Sequence, residues 1–389
     1  MSTTRRGFIR LAGIAAAAGT LLQKRTAAAV ETSPPFAPAP GTDPLILVDW
    51  HSHVITPGEI AYLSGRTKPP RISKDDQGRS VLENLTTVSA AAGRPSVTSA
   101  SDIETRVRHL DGSRVQRQLL SYTVALGYDA TLPVEELRPF YRTLNDDLAA
   151  ILRRYPGRFL GVAAVPTTDP AWAAEELARA HLELGFIGVA LPLNAFATVE
   201  SARTQAGLFE AAQKFGSHVF VHRAPASTQL PGQPPLIVPT DLGGVRWSVI
   251  SNTHLVNGAI TLGLSDFLDP YPDVTVQVIM LGGFFPYLID SIIASGPRLN
   301  IKDPLARLRR IYLEPGPYSS SNGEWVALAA QKFGADRILF GTDYGVGGGT
   351  SQDRLAPSVA SLNKALTPTQ RQQIYVDNSR ALLKARGIT

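Results

Sequence analysis

His51 and His53 stand one residue apart where the apolar run Leu45-Ile46-Leu47-Val48-Asp49-Trp50 ends. Side chains along a strand alternate between faces, so Asp49, His51 and His53 share one face, about 7 Å apart per step. Two neutral imidazoles at one strand end can hold a divalent cation or form a packed structural pair, and the spacing alone does not choose between them. Two more residues at strand ends bear on the choice. His222 closes His218-Val219-Phe220-Val221-His222, with His218 on the same face but deeper, and Asp343 follows Arg337-Ile338-Leu339-Phe340-Gly341-Thr342. Singly, His222 is equally well read as a packing residue or a ligand, and Asp343 could be a helix N-cap. Together, three imidazoles and a carboxylate are the donor set of a cation such as Zn²⁺ with one coordination position left open.

These four residues need a scaffold that brings separate strand ends together. Short apolar runs at 45–50, 115–122, 159–164, 188–191, 218–222, 274–280, 311–313 and 337–340 read as eight strands. Helical patterns at 135–154, 171–184, 204–215 and 255–268 fall between them, and strand-helix alternation implies parallel strands joined by crossovers. The expected fold is α/β, an eightfold β/α barrel of the TIM type with its chemistry at the C-terminal rim of the strands. Two long excursions break the rhythm, 65–101 after the first strand and 223–245 after the fifth, and both would overhang that rim.

Composition narrows the function classes. The 389 residues are 44% hydrophobic and 18% charged, which suits one large core. A formal net charge of +5 does not make a nucleic-acid footprint here. Five of the 38 basic residues lie in the first 29 positions with no acid among them, so 33 basic face 33 acidic residues beyond. Thr4-Arg5-Arg6-Gly7-Phe8-Ile9-Arg10, the weakly apolar stretch 11–22 and Ala27-Ala28-Ala29 resemble a twin-arginine export signal with its cleavage site. That stretch is too short to span a bilayer, so the expectation is engagement of the twin-arginine machinery, a periplasmic or secreted product and no stable membrane anchor. The absence of cysteine fits an exported protein using neither disulfides nor thiolate metal sites. The domain reading is a signal over 1–29, a Pro-rich linker over 30–44 and a barrel domain over 45–389.

From Leu45 onward the sequence resembles the aminocarboxymuconate-semialdehyde decarboxylase-like branch of the amidohydrolase superfamily. The resemblance rests on Val48-Asp49-Trp50-His51-Ser52-His53, Leu144-Asn145-Asp146-Asp147, Tyr155-Pro156-Gly157-Arg158-Phe159, Leu184-Gly185-Phe186-Ile187-Gly188, Phe220-Val221-His222, Tyr271-Pro272-Asp273-Val274, Gly282-Gly283-Phe284-Phe285-Pro286, Phe340-Gly341-Thr342-Asp343-Tyr344 and Asn378-Ser379-Arg380-Ala381. It implies one divalent metal ion, Zn²⁺ or Mn²⁺, held by His51, His53, His222 and Asp343, and a homodimer. It also implies a carboxy-lyase acting on a small unsaturated or aromatic carboxylic acid. Hydrolysis of a lactone, ester or amide is the alternative reaction, and a catalytically impaired carboxylate binder is a third reading.

One departure matters. In the family a histidine ends the sixth strand before the Gly-rich turn and serves as an acid/base group, whereas this chain reads Val278-Ile279-Met280-Leu281-Gly282-Gly283. A thioether neither shuttles protons nor donates a hydrogen bond. Either His254 supplies the missing imidazole, or Asp343 alone moves the proton, which is the preferred expectation. For the substrate carboxylate, Arg223 beside His222 is the foremost candidate, with Arg79 and Arg94 in the first excursion as others. Trp247 and Phe284 could stack against a ring.

Overall fold

The structure, a computed structural model, describes residues 45–76, 78, 80–83, 101–234, 242–345 and 353–388. The expected export signal and linker, and Arg79 and Arg94, therefore lie outside the described residues.

Seven strands pair in parallel in the order of the sequence: β1 (Ile46–His53), β4 (Val115–Ser121), β5 (Phe159–Ala164), β6 (Gly188–Pro192), β7 (His218–His222), β8 (Thr275–Val278) and β9 (Ile311–Leu313). β5, β6 and β7 are buried along their whole lengths, the mark of parallel strands covered on both faces. The covering helices include α3 (Val134–Arg154), α4 (Pro170–Arg179), α5 (Ala206–Phe215) and α6 (Gly243–Leu264), preceded by α1 (Pro57–Ser64) and α2 (Ser101–Gly112) after β1. In α3 the first turn is acidic and the last is basic, matching the helix dipole, and Leu137, Phe140, Tyr141, Leu144 and Leu148 bury one stripe against the sheet.

The last segment behaves differently from the other strands. Residues 338–344 lie between β9 and β1: Leu339 N–H donates to Leu313 O (2.9 Å), while Phe340 O and Tyr344 O accept from Trp50 (2.9 Å) and His53 (2.8 Å). The expected strand at 337–340 is reduced to isolated bridges, Leu313 with Ile338 and Ser52 with Tyr344. The physical reason is competition for the ladder. Asn378 Nδ2 donates to the Ile338 carbonyl (2.7 Å), and Asp343 adopts a left-handed backbone at φ 58°, so regular pairing cannot run through the segment. Its place in the sheet is nonetheless that of an eighth strand.

Two other boundaries differ from the sequence reading. Regular pairing in β8 stops at Val278, because Met280, Leu281, Gly282 and Gly283 all have positive φ, between 52° and 72°. α6 begins at Gly243, well before the expected start at Leu255, and its early turns expose Val245 and Val249, which blurs the helical period there. After β1 come α1, capped by Thr56 and Glu59, and, within 65–101, an antiparallel hairpin, β2 (Arg71–Lys74) with β3 (Ser80–Glu83). Among the described residues, no helix is long and apolar enough to cross a membrane.

Candidate metal centre

β1 has to deliver two imidazoles to one point, and it does so with an irregular register. Asp49 is level with Gln118 but Ser52 with Leu120, so β1 carries one extra residue across this step. Such a bulge bends a strand and re-aims its side chains, commonly beside active sites. Nε2 of His51 and Nε2 of His53 then lie 3.1 Å apart, and His53 Nε2 lies 3.1 Å from Nε2 of His222 at the end of β7. Asp343 Oδ1 completes the group, 3.1 Å from His51 Nε2 and 3.3 Å from His53 Nε2. One ligand atom from each of the four lies within 4.8 Å of the others, and all four residues are buried.

The outward-facing nitrogens fix the tautomers. His51 Nδ1 faces Glu314 Oε1 at 2.7 Å, His222 Nδ1 faces the Arg223 carbonyl at 3.0 Å, and His53 Nδ1 faces the Tyr122 carbonyl at 3.1 Å and the Ser121 hydroxyl at 2.9 Å, whose own proton is directed at the Ser52 and Tyr122 carbonyls. An oxygen that only accepts requires each Nδ1 to carry the proton, which leaves three Nε2 lone pairs pointing at one another. Lone pairs 3.1 Å apart repel unless positive charge sits among them. Two ligand atoms each about 2.1 Å from one ion, at angles of about 90–110°, lie roughly 3.0–3.4 Å apart, which is the spacing found. Asp343 Oδ1 is buried and meets no hydrogen-bond geometry among the described residues, as expected of an atom reserved for an ion. The donor set fits a divalent cation.

Electrostatics give the same reading. Burial alone would lower the His51 pKa, but the carboxylates of Glu314 and Asp343 outweigh it and push the imidazole up to about 10. Burial lowers His53 and His222, and their imidazole neighbours add to the effect. Burial would raise Asp343, yet His51 and His53 hold it well below the ordinary carboxylate range. The cluster therefore draws positive charge, a proton onto His51 where no cation serves.

Behind the ligands lies a buried polar frame. Asp49 Oδ1 accepts from Thr342 N–H (3.0 Å) and His51 N–H (3.2 Å), while Oδ2 accepts from Gln118 Nε2 (2.7 Å) and Thr342 Oγ1 (2.7 Å). Burial pushes this carboxyl up to about 6. Asp49 thus ties β1 to the residue preceding Asp343. Gly345 follows closely, and a Cβ there would stand 2.3 Å from the His53 carbonyl at a φ of 84°, so glycine is what lets the segment pass β1.

The remaining predicted residues separate. Arg223 is half-buried over the face of Trp247, 5.9 Å from its centroid, and Nη1 reaches Ser251 Oγ at 3.3 Å. It makes no ion pair among the described residues, and both Asp343 and Tyr318 act on its charge. Phe284 is half-buried immediately before α7 (Phe285–Ser295), packed against the core. His254 lies on α6, partly exposed, with no hydrogen bond among the described residues, and is not one of the converging side chains. His218 is deep in the sheet, bonded to Gln277 Oε1 at 2.8 Å. Met280 is buried, its N–H directed at Glu314 Oε1 at 3.3 Å.

Glu314 and Tyr318 escaped the sequence reading. Glu314 directly follows a short apolar strand, the same signal that marks His222 and Asp343. Tyr318, whose hydroxyl donates to Asn252 Oδ1 at 3.1 Å, carries no comparable signal.

The family model described as Amidohydrolase matches residues 48–385. A gamma-resorcylate decarboxylase of Polaromonas sp. strain JS666 is 29% identical over 255 residues, 61% of this chain and 76% of the relative. A 2-amino-3-carboxymuconate-6-semialdehyde decarboxylase of Dictyostelium discoideum is 28% identical over 121 residues, 31% of this chain and 33% of the relative. Among solved structures, 5-carboxyvanillate decarboxylase of Novosphingobium aromaticivorans, complexed with manganese and 4-hydroxy-3-methoxy-5-nitrobenzoic acid, superposes with a TM-score of 0.65. It is 19% identical, with 88% of this chain and 97% of that chain covered.

Proposed function

As a member of the amidohydrolase family by a match over residues 48–385, we propose that this chain is a (β/α)8-barrel, metal-dependent carboxy-lyase that removes CO₂ from a small aromatic or unsaturated carboxylic acid. The observation that carries the reading is the convergence of Nε2 of His51, His53 and His222 with Asp343 Oδ1. These four residues would hold the ion. A divalent cation bound there supplies Lewis-acid charge to a substrate oxygen. Three imidazoles and one carboxylate accommodate Zn²⁺ or Mn²⁺, and the structurally similar carboxyvanillate decarboxylase carries manganese.

Asp343 is the residue that moves the proton in this reading. Its side chain is 12% exposed, against 0% for His51 and 1% for His53, so it is the member of this trio open to an incoming molecule. Held ionised by the imidazoles, it accepts a proton from a substrate hydroxyl and returns it to the carbon that bears the carboxylate. The bond from that carbon to the carboxylate then breaks, its electron pair stays with the ring or double bond, and CO₂ leaves. Arg223, which makes no ion pair among the described residues, orients the substrate acid or its hydroxyl, and Trp247 and Phe284 border the ring. This assignment gives Met280 no chemical role.

Decarboxylation and hydrolysis separate by isotope. With a panel of hydroxybenzoates the account expects CO₂ release and one solvent hydrogen on the product carbon; incorporation of ¹⁸O from labelled water into product would establish the hydrolytic alternative instead. The twin-arginine pattern at Arg5-Arg6 supports export of the folded, metal-loaded chain. A cytoplasmic protein that retains Met1–Ala29 in its native host would refute that part.

A further inference from the structure

Glu314 lies in neither the ligand set nor the family motifs, yet it bonds both His51 and the backbone of the turn that follows β8. It is fully buried at the end of β9. Oε1 faces His51 Nδ1 at 2.7 Å and accepts from Met280 N–H at 3.3 Å, and Oε2 accepts from Gly316 N–H at 2.6 Å. Its backbone carbonyl takes Leu281 N–H at 2.7 Å. Met280 and Leu281 are non-glycine residues at φ 52° and 55°, a strained conformation that persists only where surrounding bonds impose it. Room for the carboxylate is itself built in. A Cβ at Gly341 would meet Oε2 at 2.1 Å, two positions before Asp343.

We propose that Glu314 is a positioning residue of the metal centre. Its carboxylate fixes the His51 ring, and through the same oxygen the left-handed Met280-Leu281 turn, so that His51 Nε2 is aimed at the ion. A metal-bound imidazole whose second nitrogen donates to a carboxylate is both oriented and made a stronger ligand. Glu314 does not touch substrate in this assignment. It also links two features that the sequence leaves separate, the first ligand strand and the turn where the usual histidine is replaced by Met280.

This inference rests on the metal reading above, and its test separates the two. Metal-stripped wild type, Glu314→Gln and Glu314→Ala are titrated with Mn²⁺ or Zn²⁺ against a chromophoric chelator, well below each protein's melting temperature. The expected result is a 10- to 100-fold weaker affinity for Glu314→Gln, the size typical of losing such a partner, and at least as large a loss for Glu314→Ala. A merely structural role would lower the melting temperature but leave the affinity of the folded protein unchanged. Imidazole ¹⁵N spectra of metal-loaded wild type give a readout independent of whether either variant folds, with His51 Nδ1 expected to carry the proton. Equal affinities in folded Glu314→Gln and wild type, or a proton on His51 Nε2, overturn the proposal. If wild type binds neither ion, the metal reading itself falls.

Discussion

Thr342 N–H and Oγ1 both bond to the Asp49 carboxylate, at 3.0 and 2.7 Å, across 293 positions of sequence. This pair joins the strand that bears His51 and His53 to the segment that bears Asp343. The ligands from β1 and from the last segment are thereby held in register by a buried contact that involves no metal. His222, from the opposite side of the same cluster, is set by the end of β7 and by its own bond to the Arg223 carbonyl.

Asp343→Asn keeps the side-chain volume but removes the proton carrier. The account predicts a fall in kcat of about 10²–10⁴-fold, the usual range for a general acid–base group, in protein that still contains metal. Steady-state kinetics paired with metal analysis of the same sample check this. Wild-type turnover in metal-loaded Asp343→Asn would remove Asp343 from the proton path and return attention to His254.

Arg223 is expected to act on binding of the substrate. Replacement by Gln should raise KM about 10- to 150-fold with a smaller change in kcat, corresponding to roughly 1.5–3 kcal/mol for hydrogen bonds to a charged group. Arg223→Lys keeps the charge but loses the planar fork and should fall between the two. An unchanged KM in both variants would place the carboxylate elsewhere.

The sequence made the ligands legible because each strand here ends in an abrupt change from apolar to polar, and His53, His222 and Asp343 all sit at that change. Glu314 shows the same change after Leu313 but was hidden by the strand's length of only three residues. The irregular features were not legible. The extra residue in β1 and the loss of regular pairing around Ile338 depend on partners 68 or 40 positions away, Ser121 and Asn378, which no local pattern announces. The left-handed turn at Met280 was obscured because Met and Leu seldom adopt positive φ, so only the two following glycines hinted at it.

Glu59 supplies a test of the scaffold. It is buried in the first turn of α1, with Oε1 accepting the Tyr128 hydroxyl at 2.5 Å, and burial pushes its carboxyl up from 4.5 to about 7. The unfolded chain ionises this group near 4.5 while the folded chain keeps it protonated to about 7. Its contribution to stability is therefore complete below about pH 4.5 and is lost as pH rises through 7, a span of roughly 3 kcal/mol. Glu59→Gln should gain stability relative to wild type between pH 5 and pH 8 in denaturant melts. Parallel pH profiles for the two proteins would contradict this.

The central claim is that His51, His53, His222 and Asp343 hold a divalent cation on which decarboxylation depends. The most direct measurement is CO₂ release from an accepted aromatic acid by one preparation followed through three states: as isolated, after chelation and dialysis, and after return of Mn²⁺ or Zn²⁺, with metal content read at each stage. The account predicts close to one ion per chain as isolated, loss of activity in proportion to metal removed, and recovery on its return. Full CO₂ release from folded protein containing no divalent metal would contradict it.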